Sequence, residues 1–213
     1  MTGNRDTILA RARLLFNELG LESVGVRELA RDLGLSPGNV SYHFPRKQDL
    51  VEALMAEHGA RNAAIIEELA RAPRVVDLME TYRRIFEGQF EYRFLLRSIV
   101  QVVEQHPELD ARYAATDGER RRALARAFTA MVGAELRADT DDAAIARIVG
   151  TCTVVARFWA SEMRLSFQAT PVERVIDHYL AIIAHAISPV ATGGTRRSLA
   201  PYLDLVLGPS TRS

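Results

Sequence analysis

The segment VRELARDLGLSPGNVSYHFPRK, residues 26–47, constrains the fold of this chain more than any other stretch. Its first part has apolar side chains at three- and four-residue spacing, which predicts a short helix over 26–33 with one apolar face. These positions are Val26, Leu29, Ala30 and Leu33. Gly34 follows at once and ends the helix without strain, because glycine tolerates positive φ. The small Ala30 lets a second helix cross the first at close range.

A second helix is predicted from Pro37 to about Phe44, with Ser36 as its N-cap and Pro37 in its first position. Val40 and Phe44 are four residues apart and pack inward. The outward positions carry uncharged hydrogen-bonding groups that suit base edges and phosphate oxygens. Two helices joined by a tight turn predict a helix-turn-helix, whose second helix enters the DNA major groove. The alternative is a generic helical hairpin with a solvated polar face.

Lys47 follows the second helix and is the only lysine of the chain. Its compact ammonium is predicted to contact a phosphate. Together with the outward positions of the second helix, it belongs to a predicted DNA contact surface of nine residues. They are Arg27, Ser36, Pro37, Gly38, Asn39, Ser41, Tyr42, His43 and Lys47.

The first fifty or so residues, about a quarter of the chain, resemble the DNA-binding domain of TetR-family transcriptional regulators. The residues that carry the resemblance are Ile8, Ala12, Leu15, Phe16, Gly20, Val26 to Ala30, Gly34 to Ser36, Gly38, Tyr42 to Phe44, Lys47, Asp49 and Leu50. The chain departs from the family at Gly25 and Arg46, where capping hydroxyls are usual, and at Ser41, where tyrosine often contacts phosphate. The resemblance implies an effector-binding C-terminal domain and a homodimer formed through the last two long helices.

Composition limits the kind of DNA binding that is possible. The net charge is zero, and residues 1–50 contain seven Lys or Arg against six Asp or Glu. Specific binding must therefore depend on placed contacts rather than on bulk charge. Cys152 is the only cysteine, so no intramolecular disulfide can form and a reducing cytoplasm is expected. The N-terminus lacks the apolar region of a signal peptide, and no apolar run is long enough to predict a membrane span.

Beyond residue 47 the apolar pattern is helical throughout, which predicts an all-α fold. The predicted helices cover 47–71, 75–90, 92–105, 108–137 with a possible break at 116–118, 141–168 and 171–187. Residues 188–198 are rich in Pro, Gly, Thr and Ser and are predicted to form a linker, followed by a short helix over 199–207. The predicted domains are a helix-turn-helix domain over 1–48, a ligand-binding and dimerisation domain over 49–190, and a linker and tail over 191–213.

Aromatic and sulfur side chains are concentrated in the second domain, with a few polar groups among them. This pattern is typical of a cavity for a small, largely apolar effector, although core filling alone would also account for it. The predicted ligand-binding residues are Tyr82, Phe86, Phe90, Phe94, Arg97, Gln101, Phe128, Met131, Trp159 and Met163. Arg97 either anchors an anionic group of the ligand or forms an ion pair with Glu87 or Glu104.

Two late segments, 145–159 and 175–187, are apolar on more than one face. A helix that is apolar all round must be buried, here either in a homodimer interface or as the central helix of a monomeric bundle. A dimer also fits the DNA-binding half, because two-fold proteins bind palindromic sites through two recognition helices.

No catalytic or metal-binding motif is present, and we expect neither a cofactor nor a metal. His178 and His185 are seven residues apart, roughly 10 Å along a helix, which is too far to share a metal ion. The sequence therefore predicts a homodimeric repressor of a palindromic operator, released by a small molecule. The rivals are an activator or a protein-responsive regulator of the same fold, and a helical enzyme with an appended DNA-binding domain.

Overall fold

The computed structural model describes the backbone of residues 4–71 and 73–207, and the side chains of all of these except residues 70 and 71. The described residues form ten α-helices and no strand, which confirms the all-α prediction. They are α1 (Asn4–Leu19), α2 (Val26–Asp32), α3 (Pro37–His43), α4 (Lys47–Arg71), α5 (Val75–Glu91), α6 (Arg93–Gln105), α7 (Pro107–Met131), α8 (Asp142–Ser166), α9 (Val172–Ile187) and α10 (Gly193–Leu203). A short 3-10 helix, Ser188–Val190, connects the last two.

The first three helices pack around a small apolar core, and the bounds of α2 and α3 agree with the predicted ones to within one residue. Gly34 has φ +65°, and the backbone N–H of Leu35 donates to the carbonyl of Ala30 at 2.9 Å. Ser36 caps α3 by accepting a hydrogen bond from the backbone of Asn39 at 3.2 Å. The turn residues therefore act locally as the sequence predicts.

Two helices start without a capping hydroxyl, at Gly25 and at Arg46. In each case a carboxylate three residues later in the chain caps the helix instead. The backbone N–H of Gly25 donates to Glu28 at the start of α2, at 3.1 Å. Before α4, Asp49 accepts from the backbone N–H of Arg46 at 2.7 Å and from its guanidinium at 2.8 Å. Each acid satisfies a backbone donor at the positive end of a helix, so the missing hydroxyls are compensated.

Helices α4 to α9 form a bundle. Many of its buried side chains lie on α5, α8 and α9. The predicted break in α7 is absent, because the helix runs without interruption from Pro107 to Met131. It also ends earlier than predicted. Gly133 has φ +86° and its N–H donates to the carbonyl of Leu136 at 2.8 Å, so a tight turn replaces the expected last turns.

The interpretation of residues 188–198 as a linker is wrong. Helix α10 begins at Gly193, capped by Thr192, and packs against α9 and α5. The connection before it is tied to the α7–α8 loop, since the Arg137 N–H donates to the Val190 carbonyl at 2.8 Å. Burial of Leu199 and these backbone bonds outweigh the weak helix propensity of the Gly-rich start. The remainder of the predicted tail, 208–213, lies outside the described residues.

Two of the connections between the three-helix unit and the bundle hold α1 and α4 in place. The first is α4, which runs without a break from the end of the turn region into the bundle. The second is Asn17 on α1, whose side-chain amide donates to the Glu91 carbonyl at 2.7 Å and accepts from the Phe94 N–H at 3.1 Å. The Phe16 and Phe94 rings pack beside it with centroids 5.1 Å apart. The α5–α6 corner is thus held by α1.

Among the described helices, α8 is long and apolar enough to cross a membrane by length and composition. It packs against α6, α7 and α9, with Cys152 and Trp159 fully enclosed. One face of α8 therefore lies in the core of the bundle.

Candidate functional site

Helix α3 presents a polar surface on the side opposite its buried Val40. Tyr42 is the most exposed large side chain of the helix, at 84%, and its ring meets the His43 ring edge-on with centroids 5.1 Å apart. The predicted contact residues of this helix are all at least partly exposed. They are Pro37, Gly38, Asn39, Ser41, Tyr42 and His43. An exposed helix surface of uncharged donors and acceptors suits the floor of a DNA groove.

Neighbouring residues hold this surface in place. Asn4 on α1 donates its side-chain amide to the Asn39 side-chain oxygen at 2.6 Å, which orients Asn39. The Arg5 guanidinium lies 5.1 Å from the centroid of the Phe44 ring. Ser36 is exposed, and its hydroxyl caps the helix, so the predicted DNA contact of this residue stays a prediction. Arg27 is exposed on α2.

Lys47 makes a contact that the sequence pattern does not reveal. Its ammonium donates to the Leu21 carbonyl at 3.1 Å and lies 3.8 Å from the Glu22 carboxylate. It therefore supports the loop between α1 and α2. An ammonium has three donors, so this contact leaves donors for a phosphate, and the predicted phosphate contact stays a prediction.

A cavity of about 480 Å³ lies within the bundle, between α4, α5, α6, α7 and α8. Most of its wall is apolar. Representative lining residues, at least one from each of α4 to α7, are Met55, Leu78, Ile85, Leu96, Leu109 and Leu124. An apolar cavity of this size with a small number of polar groups is typical of a small-molecule site.

The structure divides the ten predicted ligand-binding residues among four places. Tyr82 lines the cavity. Five others are enclosed in the core beside it and are not part of its lining, namely Phe86, Phe94, Phe128, Met131 and Trp159. Phe90, Arg97 and Met163 line a second, more open pocket of about 400 Å³ near the end of α8. Gln101 is exposed and donates to Glu22 at 3.2 Å.

The cavity lies beside small side chains rather than beside the large aromatic ones. Large aromatics at helical spacing fill the space they face, so they mark the packed part of the bundle. Helix α4 instead contributes a row of small lining residues. These are Ala56, Gly59, Ala60 and Ala63. Their spacing of three, one and three residues places them on one helix face, and this is the signal in the sequence that would have located the cavity.

Arg97 differs from the expectation of an arginine buried among aromatics, because its side chain is exposed. In the described part of the chain it pairs with neither Glu87 nor Glu104. Partial burial and the positive charges of Arg93 and Arg164 lower the pKa of Arg97. The expected structural ion pair is therefore absent from the described residues, while the ligand-anchor alternative belongs to the smaller pocket and not to the cavity.

Asp117 forms the centre of an ionic cluster in the cavity wall. Its carboxylate accepts from Arg121 at 2.9 Å and from Arg157 at 2.7 Å, and Arg157 also donates to the Tyr113 hydroxyl at 3.0 Å. Burial raises the pKa of Asp117, but the hydrogen bonds from the two arginines outweigh it, so the pKa lies below the ordinary value. The cluster ties α7 to α8 beside the cavity.

Two neighbouring polar residues of α4, His58 and Asn62, also line the cavity. The Asn62 amide nitrogen lies 3.1 Å from His58 Nε2. Burial, together with the smaller effect of the Arg120 and Arg61 charges, lowers the pKa of His58 to about 4. At neutral pH the imidazole is therefore uncharged.

The single thiol of the chain, Cys152, lies buried in α8. Burial raises the pKa of Cys152 to about 12, so it packs as a small apolar group beside Tyr82 rather than as a nucleophile. Within residues 4–71 and 73–207, no three His, Cys, Asp or Glu side chains are grouped to hold a metal ion.

A helix-turn-helix unit joined by one long helix to a bundle with an internal cavity defines a two-domain DNA-binding protein. Residues 8–54 match the family model for bacterial regulatory proteins of the tetR family. Residues 55–199 match the TetR model described as bacterial transcriptional repressor. The chain belongs to the TetR family of transcriptional regulators. Members of this family regulate transcription and are not enzymes.

Curated relatives support this assignment over part of their length. UidR, a transcriptional regulator of Escherichia coli K12, is 28% identical over 108 residues, which are 50% of this chain and 55% of that protein. The chain thus spans about half of the length of such relatives.

Solved structures share the fold over almost the whole chain. A TetR-family regulator from Marinobacter aquaeolei VT8 superimposes with a TM-score of 0.83 at 20% identity, covering 97% of this chain and 100% of that one. SmeT in complex with triclosan superimposes with a TM-score of 0.66 at 16% identity, covering 97% and 95%. At these identities the similarity establishes the fold.

Proposed function

We propose that the protein is a homodimeric cytoplasmic repressor that binds a palindromic operator and is released by a small, largely apolar effector. Residues 1–48 would bind DNA, and residues 49–190 would bind the effector and the second subunit. The family model for repressors supports the regulatory role. SmeT, which has the same fold, holds the small molecule triclosan, which supports a small-molecule effector for this chain.

The observation that carries the proposal is the course of α4. Its first residue, Lys47, comes four residues after the end of α3. Its middle turns line the cavity through Met55, His58 and Asn62. A ligand that contacts these turns therefore contacts the helix on which the DNA-binding unit is mounted. A ligand that binds better to one orientation of α4 shifts the population toward that orientation.

The contacts of α1 extend the same coupling to a second wall of the cavity. Asn17 holds the α5–α6 corner, and α6 lines the cavity through Leu95, Leu96 and Ile99. A rearrangement of either wall is thus transmitted to the three-helix unit. Two recognition helices fit successive major grooves only at one separation, so a small reorientation of each unit is enough to weaken operator binding.

The surface of α8 supports the dimer. Val154 is 55% exposed and Phe158 is 41% exposed, and their four-residue spacing places them on one face. Val155 on the same helix and Ile182 on α9 are partly exposed next to the core. A central helix of a monomeric bundle would have these side chains enclosed, whereas a second subunit would cover them. Contiguous exposed apolar side chains of this kind favour an interface.

The DNA-binding half of the proposal is tested by selecting binding sites from a pool of random duplexes with the purified full-length protein. The expected result is an inverted repeat bound by two chains, with an affinity that falls steeply with salt because phosphates are contacted. Tyr42→Ala is the matched negative control, since this side chain is exposed and its loss leaves the fold intact. Recovery of no enriched sequence, or of a non-repeated site bound by one chain, would contradict the proposal.

A further inference from the structure

The cavity contains one polar pair with unused hydrogen-bonding capacity. Asn62 is only 2% exposed, and among the described residues neither its side-chain oxygen nor His58 Nδ1 makes a hydrogen bond. Buried polar groups are nearly always paired, because leaving them unpaired costs free energy. Among the described residues, no other buried side-chain nitrogen or oxygen of the cavity wall lacks a hydrogen-bond partner. Gln89, for example, accepts from Trp159 at 2.6 Å and donates to Ala156 at 3.0 Å.

The pair is held rigidly in position. The His58 ring packs on the Tyr92 ring with centroids 5.0 Å apart and planes at 33°. Its Nε2 is fixed by the Asn62 amide on the next turn of α4. Both rotamers are therefore set before any ligand arrives, which lowers the entropic cost of binding.

The pair always leaves one donor and one acceptor. If Asn62 donates its N–H to His58 Nε2, the neutral imidazole has its proton on Nδ1, and the Asn62 oxygen is the free acceptor. If the amide is turned over, its oxygen accepts from Nε2–H, so the amide nitrogen is the free donor and Nδ1 the free acceptor. Either arrangement matches a ligand group that donates and accepts at one atom.

We propose that Asn62 and His58 are the polar anchor of the cavity, and that the effector has an un-ionised hydroxyl group, alcoholic or phenolic, on an apolar body. This assignment rests on the proposed role of the cavity as the effector site. A hydroxyl group can donate one hydrogen bond and accept another, so it offers the donor and the acceptor that the two unpaired atoms lack. The apolar body then lies along side chains such as Leu78, Ile85 and Leu124.

Charged head groups fit the pair less well. A carboxylate only accepts hydrogen bonds and would face the free amide oxygen or the free ring nitrogen. An ammonium only donates, and it would approach the positive charges of Arg120 and Arg61, which already act on His58. The Arg120 guanidinium is partly engaged, since it donates to the Thr116 carbonyl at 3.3 Å and lies 6.0 Å from the Tyr113 ring centroid. A ligand carboxylate on Arg120 is the competing arrangement.

Three probes with the same ring system separate these arrangements. They are 2-naphthol, which is un-ionised at neutral pH, naphthalene, which has no polar group, and 2-naphthoate, which is an anion. Their dissociation constants for the full-length protein are measured by quenching of the Trp159 fluorescence and by thermal shift. We expect 2-naphthol to bind about tenfold or more tightly than either other probe, the difference that two hydrogen bonds in a buried site provide.

Variants then test whether Asn62 is responsible for the preference for 2-naphthol over naphthalene. Asn62→Leu keeps the side-chain size and removes the hydrogen bond, so the preference for 2-naphthol over naphthalene should disappear. Thr153→Val is the matched control, because Thr153 lines the same cavity but its hydroxyl is already bonded to the Val149 carbonyl at 2.7 Å. Its preference should equal that of the wild type. Arg120→Met should leave 2-naphthol binding unchanged.

The wild-type comparison alone can overturn the proposal, whether or not Asn62→Leu folds. Equal binding of 2-naphthol and naphthalene, tighter binding of 2-naphthoate, or binding of none of the three overturns it. A preference that survives in Asn62→Leu overturns it as well. Release of operator DNA by 2-naphthol is measured separately and tests the effector role. A hydroxyl preference that depends on Asn62 supports the proposed anchor even if the DNA stays bound.

Discussion

The hydrogen bond between Gln89 and Trp159 gives a prediction whose size follows from the structure. Gln89 is 5% exposed and its oxygen accepts from the indole N–H at 2.6 Å. Gln89→Met preserves the side-chain volume approximately, so no large cavity is created. It leaves the enclosed indole N–H without an acceptor, which costs about 1–3 kcal/mol. The Ala156 carbonyl, which also loses a donor, lies inside α8 and keeps its place in the helical hydrogen-bond ladder.

The assay is thermal unfolding of wild type and Gln89→Met at one fixed protein concentration, because association would make the transition concentration-dependent. For a chain of this length each kcal/mol lowers Tm by about 2–4 °C, so the expected fall is about 2–12 °C. Trp159 is the only tryptophan, and its emission reports the lost bond directly. Gln101→Met is the control, since Gln101 is exposed and its loss should change stability by no more than about 0.5 kcal/mol. If Gln89→Met melts at the wild-type temperature, the reasoning is refuted.

Three further predictions concern DNA, assembly and pH. Tyr42→Ala should weaken operator binding by about 1–3 kcal/mol in fluorescence anisotropy while Tm stays constant, and unchanged affinity would remove Tyr42 from the contact surface. Phe158→Glu should give monomers or aggregates in light scattering, whereas Val100→Glu, an exposed apolar site on α6, should keep the wild-type mass. The lowered pKa of Asp117 predicts stabilisation that is present above the unfolded pKa of about 4 and lost as pH falls through the folded pKa. The Tm difference between wild type and Asp117→Asn should therefore shrink on acidification below pH 4, and a constant difference would contradict this.

The DNA-binding unit was predictable because its determinants are local. Gly34 takes the positive φ that the turn requires, and Ser36 and Pro37 start a helix where their chemistry predicts one. Each of these effects acts within four residues, so the order of residues in the chain is sufficient to recognise it. The contact of Lys47 with Leu21 was not predictable, because it joins positions that only the packing of three helices brings together.

The sequence predicted a cavity in the second domain but not the residues that line it. Large side chains such as Phe86 and Trp159 are conspicuous in a sequence, and they are the ones that fill space completely. A cavity forms where small side chains leave space between helices, as with Gly59 and Ala63 on α4. The start of α10 at Gly193 was also not predictable from local sequence. The segment before it is held by backbone hydrogen bonds to a loop more than fifty residues earlier in the chain.

In the proposed mechanism, the length of α4 lets a small change at the cavity alter operator binding. Asn62 lies fifteen residues from Lys47 on one continuous helix, which corresponds to about 22 Å at 1.5 Å per residue. A tilt of about 5° around Asn62 would displace the start of α4 by about 2 Å. The same displacement in each subunit of a dimer changes the separation of the recognition helices by up to twice that amount. Because Asn17 binds the α5–α6 corner, such a tilt must either move this corner with α1 or break two hydrogen bonds. In the proposed mechanism the free and bound states would then be discrete alternatives that differ by a few contacts, and an effector would need a differential affinity of only a few kcal/mol to choose between them.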